Sequence, residues 1–453
     1  MRGSTNPDSL MGDPKLVTTP DSARAPRRAG APYLTPEGYD VLILDAAVKQ
    51  SLASVRSLGR AGLRVVAAEC FAECEPGVPV PAFRSRYSSR NEVLPSYAAD
   101  ANAYRSAIVE FVRLHPTLVV LPTMDGSIAA VMTVRDQLAQ LGCTVALPSN
   151  AALAIANDKD RTLKIADQLG IEYPRTLRID SIEELPLLLA EFDFPFVIKP
   201  TISWAAKPAA RLAPIEVMDK DEAAAVTRQF LEAGVGVLGQ EWASGRREGV
   251  TLFVVGGEVL ACCAHATLRT TPPLGGASVL RQSIPIPQDI LEPAVRLART
   301  ISLEGICEVE FRRDRNGRPL LMEINARFAG TIKNAVHSGV DFPLMAWQWA
   351  AGQTVRHVRS YKTGVRTRWL RGDIWWLRAN WNRVGRPDSV PRRSALWMFT
   401  TEFARTRHYD SLEAWDIGPA IAEIQTLAVA LRHVRKSKDP VGNAQSQGAA
   451  HVN

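Results

Sequence analysis

The residues best equipped for chemistry sit together at Leu321 to Arg327, LMEINAR, just after CEVEFRRDRNGRP. On a strand the side chains alternate, so Glu323, Asn325 and Arg327 share one face while Met322, Ile324 and Ala326 share the other. Asn316-Gly317, between the two segments, is the strongest short hairpin signal and predicts a type I′ turn. A two-residue loop there sets Glu310 opposite Glu323 and Glu308 opposite Asn325. Opposed residues lie about 4.5 to 5.5 Å apart at Cβ, where like charges destabilise a sheet. Such a pair is tolerated when a cation lies between the carboxylates or one is protonated, and Mg²⁺ takes oxygen ligands from one or two carboxylates plus substrate phosphates. The other reading of the hairpin alone is an exposed face whose carboxylates pair with Arg312, Arg313 or Arg315. A longer loop would shift the register.

Lys199 ends an apolar strand against Pro200, and Lys159 begins a helix, so both can aim ammonium groups at phosphate oxygens. Taken singly, each reads first as a surface lysine whose stem covers apolar surface while its head reaches water. VLGQEWASG offers a strand edge whose backbone groups suit a flat heterocycle, or simply continue a sheet.

These residues must be held by something large. The chain has 453 residues, of which 46% are hydrophobic and 22% charged, enough for two to four domains. Its formal net charge of +7 is uneven, because residues 351–440 hold 17 Lys and Arg against 8 Asp and Glu. The cysteines Cys70, Cys74, Cys143, Cys262, Cys263 and Cys307 form no CxxC pair, and no basic-then-apolar leader opens the chain, so reduced thiols and a cytoplasmic location are expected. No apolar run reaches the roughly 18 residues of a spanning helix.

Residues 1–37 and 437–453 read as disordered tails. From Tyr39 the strand YDVLILD, a helical stripe at Val48, Leu52, Val55 and Leu58, a stop at Gly62 and the strand LRVVAAEC make a βαβ unit. Alternation continues to about residue 150, giving a small doubly wound domain over 38–150. Its first turn, DAAVKQS, lacks the GxGxxG fingerprint, which disfavours a dinucleotide. An α+β domain follows over 151–352, where Asn157 is expected to cap a helix running through Lys159, Leu163, Ala166 and Leu169, and FPFVIKP and GVLGQEW read as strands. Residues 353–436 hold six of the ten tryptophans and read as a basic, mostly helical extension.

The order NDKDRTLKIADQLGIEYPRT, FPFVIKP, GQEWASG and CEVEFRRDRNGRPLLMEINARFAGTIKNAVHSGVDFP resembles the ATP-grasp superfamily, in its carboxylate-amine ligase form related to carbamoyl-phosphate synthase and biotin carboxylase. The resemblance implies a Rossmann-like preceding domain, then an ATP-grasp domain with a lid at about 172–240. It implies that Lys159 and Lys199 bind phosphates, that Gln240, Glu241 and Trp242 form the adenine-binding hinge with Glu248 also at the nucleotide, and that Glu310, Glu323 and Asn325 hold Mg²⁺ or Mn²⁺. Arg327, Arg281 and Lys199 are the implied catalytic cations. Two departures stand out: the flap TISWAAKPAARLAPIE contains no glycine, leaving Ser203 and Lys207 as substitutes, and EINAR has Ala326 where proline is common. HATLRTTPPLGGASVLRQS is expected to be a loop deformable at Gly275 and Gly276, with Arg269 and Arg281 free for anionic groups or holding the loop by ion pairs.

The implied reaction is ATP-dependent activation of a carboxylate to an acyl phosphate and its capture by an amine, with small-molecule partners and no nucleic acid. The alternatives are a bicarbonate-activating carboxylase or carbamoyl-phosphate-type enzyme, and a nucleotide-binding protein without turnover. A homodimer stays open. For the C-terminal extension, a helix over about 365–384 is expected to pack on the catalytic domains through Leu370, Ile374, Leu377, Trp381 and Val384. The contrary reading is an interfacial helix in peripheral contact with anionic lipid.

Overall fold

The computed structural model describes residues 38–70, 78–206, 209–273, 276–382, 386–387 and 389–436. The tails, Cys74, Lys207, Gly275 and Val384 lie outside them. The first unit is a five-stranded parallel sheet in the order Arg90–Leu94, Val65–Cys70, Tyr39–Ile43, Thr117–Leu121, Thr144–Val145. Its central strands are apolar on both faces because helices cover both, and Val41, Leu42, Ile43, Val119 and Val120 are fully buried. The helix Lys49–Arg60 buries Leu52, Val55 and Leu58 as its stripe requires, and Gly62 ends it at φ +83°. The first turn is filled from within: Asp45 accepts hydrogen bonds from Met124 N at 2.9 Å and Ser127 Oγ at 2.6 Å.

The next unit is a four-stranded antiparallel sheet, Ile215–Val217, Phe196–Pro200, Val237–Gln240 and Thr176–Ile179, packed on its helices through Phe196, Ile198, Phe230 and Val237. The helix Lys159–Gln168 leads into it. Its cap is Asp158, whose carboxylate accepts from Arg161 N at 3.1 Å, whereas Asn157, the expected cap, closes the preceding helix Asn150–Ala156. Asp158 won because its side chain reaches the free N–H groups of the first turn.

The largest element is a seven-stranded sheet in the order Pro319–Asn325, Gly305–Arg313, Arg247–Val255, Glu258–Thr271, Ala277–Ile284, Arg366–Arg368, His408–Tyr409. Three expectations are corrected here. Glu310 does pair with Glu323 and Glu308 with Asn325, but the connection is longer than two residues. Asp314 N donates to Arg318 O at 2.9 Å, only Gly317 of the Asn-Gly pair has positive φ, and a bulge between Glu310 and Phe311 restores the register that the longer turn had shifted by one. Second, HATLRTTPPLGGASVLRQS is no deformable loop: most of it lies in the paired strands Glu258–Thr271 and Ala277–Ile284. Third, the C-terminal extension adds two strands to this sheet, and its helix is Leu370–Asn382, starting after the strand Arg366–Arg368. That helix buries Gly372, Asp373, Trp376 and Asn380, while Leu370, Ile374 and Leu377 are half-buried and Trp381 is exposed. The buried line is rotated from the apolar stripe because Asp373 is drawn inward by arginines.

No described helix is long and apolar enough to cross a membrane. The five described cysteines are buried and unbridged.

Candidate functional site

The functional face of the large sheet is built from cross-strand rows. One row reads Glu323, Glu310, Gly249, His265, Ser283, and its neighbour on one side reads Asn325, Glu308, Thr251, Cys263. The row on the other side reads Arg312, Arg247, Thr267, Arg281, Thr367. Acidic and basic rows therefore lie side by side on one face, which no single strand reveals. Gly249 is required at its place: a Cβ there would stand 2.5 Å from the His265 ring, which lies across the row. Burial pushes the His265 imidazole down to about 4, so it is neutral.

Asn325 Nδ2 lies 3.3 Å from Glu310 Oε1 and 3.4 Å from Glu323 Oε1, so three oxygen-bearing side chains converge. Arg247 Nε donates to Glu310 Oε2 at 2.6 Å, and its Nη1 donates to Gly276 O at 3.1 Å. Burial raises the Glu310 carboxyl to about 7, with the Glu323 charge adding to it and Arg247 opposing. Against the same pull of burial, Lys159, Arg247, Lys199 and Arg327 hold Glu323 below the usual carboxylate range. The opposed pair thus splits, with the proton favoured on Glu310. Among the described residues no three His, Cys, Asp or Glu side chains form a complete cage for a metal. Two carboxylates and an amide oxygen suit Mg²⁺, which needs substrate phosphates to complete its shell.

Both lysines are buried. Lys159 Nζ donates to Ser203 Oγ at 2.8 Å. Burial lowers Lys199 to about 8, with Glu323 opposing and Lys159 reinforcing. Arg327 is held by the first domain, its Nε 2.7 Å and its Nη2 3.3 Å from the two oxygens of Asp125. At the hinge, Gln240 Nε2 donates to Thr176 Oγ1 at 2.9 Å while its buried Oε1 has no partner among the described residues. Trp242 lies beneath the Arg312 guanidinium at 4.9 Å, and Glu241 is exposed beside Arg175 at 3.1 Å. A cleft of about 710 Å³ opens at the outer end of this hinge, between residues 170–175, 241–244 and the hairpin turn, and is not lined by the lysines or the Glu310 pair.

Two candidates stand elsewhere. Glu248 pairs in register with Phe311, on the opposite face from Glu310, and is occupied by Arg246 and by Arg313 at 2.7 Å. Its place follows from alternation along the strand, which turns Arg247 toward the site instead. Arg281 is on the functional face but fully buried and paired with Asp410 of the C-terminal segment. Arg269 is likewise held, by Asp373 at 2.7 Å.

Sequence reasoning missed Arg247, Asp125 and Lys49. Only strand pairing brings Arg247 to Glu310. Lys49, at the start of the first domain's first helix, donates to Ser278 O and lies 4.8 Å over the Trp369 ring. A Cβ on Gly330 would be 2.6 Å from its Cε. Burial, reinforced by Arg281, pushes its ammonium down to about 7.

A Rossmann-like domain, a four-stranded lid and a large antiparallel sheet bearing this acidic ladder define an ATP-grasp fold, and the chain is similar in sequence to ATP-grasp proteins. The family model described as ATP-grasp in the biosynthetic pathway with Ter operon matches residues 273–372. The chain is 26% identical over 205 residues to D-alanine–D-alanine ligase of Pseudomonas entomophila (strain L48), covering 42% of this chain and 62% of that protein. It is 25% identical over 265 residues to a probable alpha-L-glutamate ligase of Alcanivorax borkumensis, covering 53% and 83%. It therefore spans less than two thirds of the first of these relatives. Among solved structures, an L-amino acid ligase from Bacillus licheniformis superposes with a TM-score of 0.54 at 17% identity, over 70% of this chain and 76% of that one.

Proposed function

We propose that this protein is an ATP-dependent ligase that converts a carboxylate to an acyl phosphate and passes the acyl group to an amine, releasing ADP and phosphate. The observation that carries the reading is the convergence of Glu310, Glu323 and Asn325 opposite two buried lysines whose charges act on Glu323. Buried cations and carboxylates without a full set of partners are what a polyphosphate and its cation would complete. Mg²⁺ would be held by Glu310, Glu323 and Asn325 and would neutralise phosphate charge during transfer. Lys159 and Lys199 bind phosphate oxygens, and the unmet Gln240 Oε1 suits the exocyclic amino group of adenine.

The protein's remaining task is positioning. The carboxylate oxygen attacks the γ-phosphorus, the β–γ bridging oxygen leaves with ADP, and the amine nitrogen then displaces phosphate from the acyl carbon and loses a proton. Arg327, fixed by Asp125, follows the ladder's strand and would suit the negative charge of the transferring group. Lys49 reaches from the first domain's helix to the large sheet, where a cation would suit the carboxylate of the acid. The test is release of ADP and phosphate by the full chain with Mg²⁺, using pools of amino acids as acid and amine, with products read by mass spectrometry. An amide product dependent on both pools supports the ligase. ADP release that needs bicarbonate alone assigns a carboxylase, and tight MgATP binding without turnover in any pool assigns a binding protein.

A further inference from the structure

The C-terminal segment is divided by charge. Its six described carboxylates all point inward into ion pairs: Asp373 with Arg269 and Arg368, Glu402 with Arg366, Asp410 with Arg281, Glu413 with Lys333, Asp416 with Arg56 and Glu423 with Arg371. By contrast, the exposed arginines Arg378, Arg392, Arg393, Arg405 and Arg407 meet no carboxylate among the described residues. The described acidic groups have been used to fasten the segment to the protein, and among the described residues its outer surface is left positive.

That positive surface is also apolar. The helix Arg392–Arg405 turns Ala395 and Glu402 into the protein, with Met398 and Phe399 packed on the same cluster. At 100° per residue the opposite side carries Arg393, Trp397 and Ala404, flanked by Leu396 and Phe403. Trp397 is 60% exposed, Phe403 50% and Leu396 47%. The patch continues onto the end of the preceding helix, where the exposed Trp381 lies 5.4 Å beneath the Arg392 guanidinium and its carbonyl accepts from Arg392 Nε at 3.1 Å. Large apolar side chains in water normally mark a contact surface.

We propose that this face, formed by Trp381, Arg392, Arg393, Leu396, Trp397 and Phe403, docks on an anionic lipid surface with the helix lying in the interface plane. The charge selects the partner: arginines that meet no outward carboxylate among the described residues attract anionic headgroups and repel a second copy of the same face. The apolar content selects lipid over nucleic acid, because Leu396 and Phe403 gain from entering the acyl boundary and tryptophan is suited to the headgroup level. Docking here would hold the ligase fold at a membrane without crossing it.

The test is co-sedimentation of the full chain with phosphatidylcholine vesicles, with and without phosphatidylglycerol, at low and high salt. Binding is expected only with phosphatidylglycerol and should weaken as salt screens the exposed charges. Arg392→Gln with Arg393→Gln should weaken it roughly 30-fold, and Trp397→Ser should weaken it at an unchanged melting temperature, since its side chain is exposed. No phosphatidylglycerol-dependent sedimentation would overturn the proposal. So would vesicle binding unchanged in both variants, retention on single-stranded DNA that Trp397→Ser leaves untouched in place of vesicle binding, or self-association that Trp397→Ser abolishes in a chain that ignores vesicles.

Discussion

Arg56→Met is the perturbation that probes most directly how the C-terminal segment is held. Arg56 lies on the first domain's helix and is fully buried. Its Nε donates to Asp416 Oδ2 at 2.7 Å, its Nη1 to Asp410 O at 2.9 Å, and its Nη2 to Ser411 O and Asp416 O, both at 2.8 Å. One guanidinium therefore satisfies a carboxylate and three carbonyls more than 350 residues away. Methionine fills much of the same volume and isolates the polar loss. Removing one partner of a buried ion pair costs about 3 to 5 kcal/mol, and each unmet buried carbonyl costs about 1 to 3 kcal/mol. Asp416 retains Ser85 Oγ at 2.7 Å and Arg86 N at 2.8 Å, so its charge is not stranded and the ion-pair cost falls at the lower end. Asp410 O keeps Lys333 Nζ at 2.9 Å, and the losses at the other two carbonyls are not additive, because the segment can shift to let water in. A total of at least about 4 kcal/mol is expected, a large part of the roughly 5 to 15 kcal/mol that holds a folded protein. Urea unfolding followed by circular dichroism measures it. A loss below about 1 kcal/mol would refute the reasoning and mean that the segment is not anchored at Arg56.

Glu323→Gln should cost at least roughly 10²-fold in Mg²⁺-dependent ADP release without unfolding the protein, and Asn325→Ala should act in the same direction less severely; near-normal release at saturating Mg²⁺ would remove both from the proposed cation site. Lys199→Met should weaken MgATP binding roughly tenfold or more with little change in melting temperature, read by calorimetry and thermal unfolding, whereas lost stability at unchanged affinity would make Lys199 structural. Stability should decline with acid below about pH 6.5: His337, which burial and Lys333 push down to about 3, stays neutral in the fold while the unfolded chain takes up its proton. Glu413, drawn down to about 2 by Lys333 and Arg56 against the pull of burial, contributes stability present above its ordinary 4.5 and lost as pH falls toward 2. His337→Gln should therefore flatten the upper part of the decline and Glu413→Gln the lower, and melting curves unchanged between pH 6.5 and 3 in the parent protein would contradict both.

The acidic ladder was legible because a strand's period is two and Glu323 and Asn325 keep it, although the extra residue Met322 breaks the alternation from Leu321. Pairing Glu310 with Glu323 follows from that period together with a turn centred between Asn316 and Gly317. The turn itself was misread, since Asn-Gly suggests a two-residue type I′ connection whereas Asp314 ties a longer turn by accepting from Asn316 N and Arg318 N, both at 2.8 Å. The bulge beside Phe311 then undoes the offset. Two local deviations cancel, and a correct pairing emerges from an incorrect turn. Arg247 and Lys49 could not be found this way, because their positions depend on which strands become neighbours and on how the first domain meets the sheet.

The C-terminal segment shows the other limit. Its apolar stripe promised a helix packed through Leu370, Ile374, Leu377 and Trp381, and periodicity alone would keep that face inside. What turns the helix is Asp373, which Arg269 and Arg368 each hold at 2.7 Å in full burial. An unpaired buried carboxylate or guanidinium costs far more than leaving Trp381 partly in water, so the ion pairs decide the rotation and the apolar residues follow. The same preference carries through the segment: Asp410 and Asp416 are spent on Arg281 and Arg56, and the arginines with no inward partner remain outside beside Trp397. The surface offered to a membrane is thus the complement of the pairs that fasten the segment, and substitutions that release Asp373 should change the packing of the helix and the exposed face together.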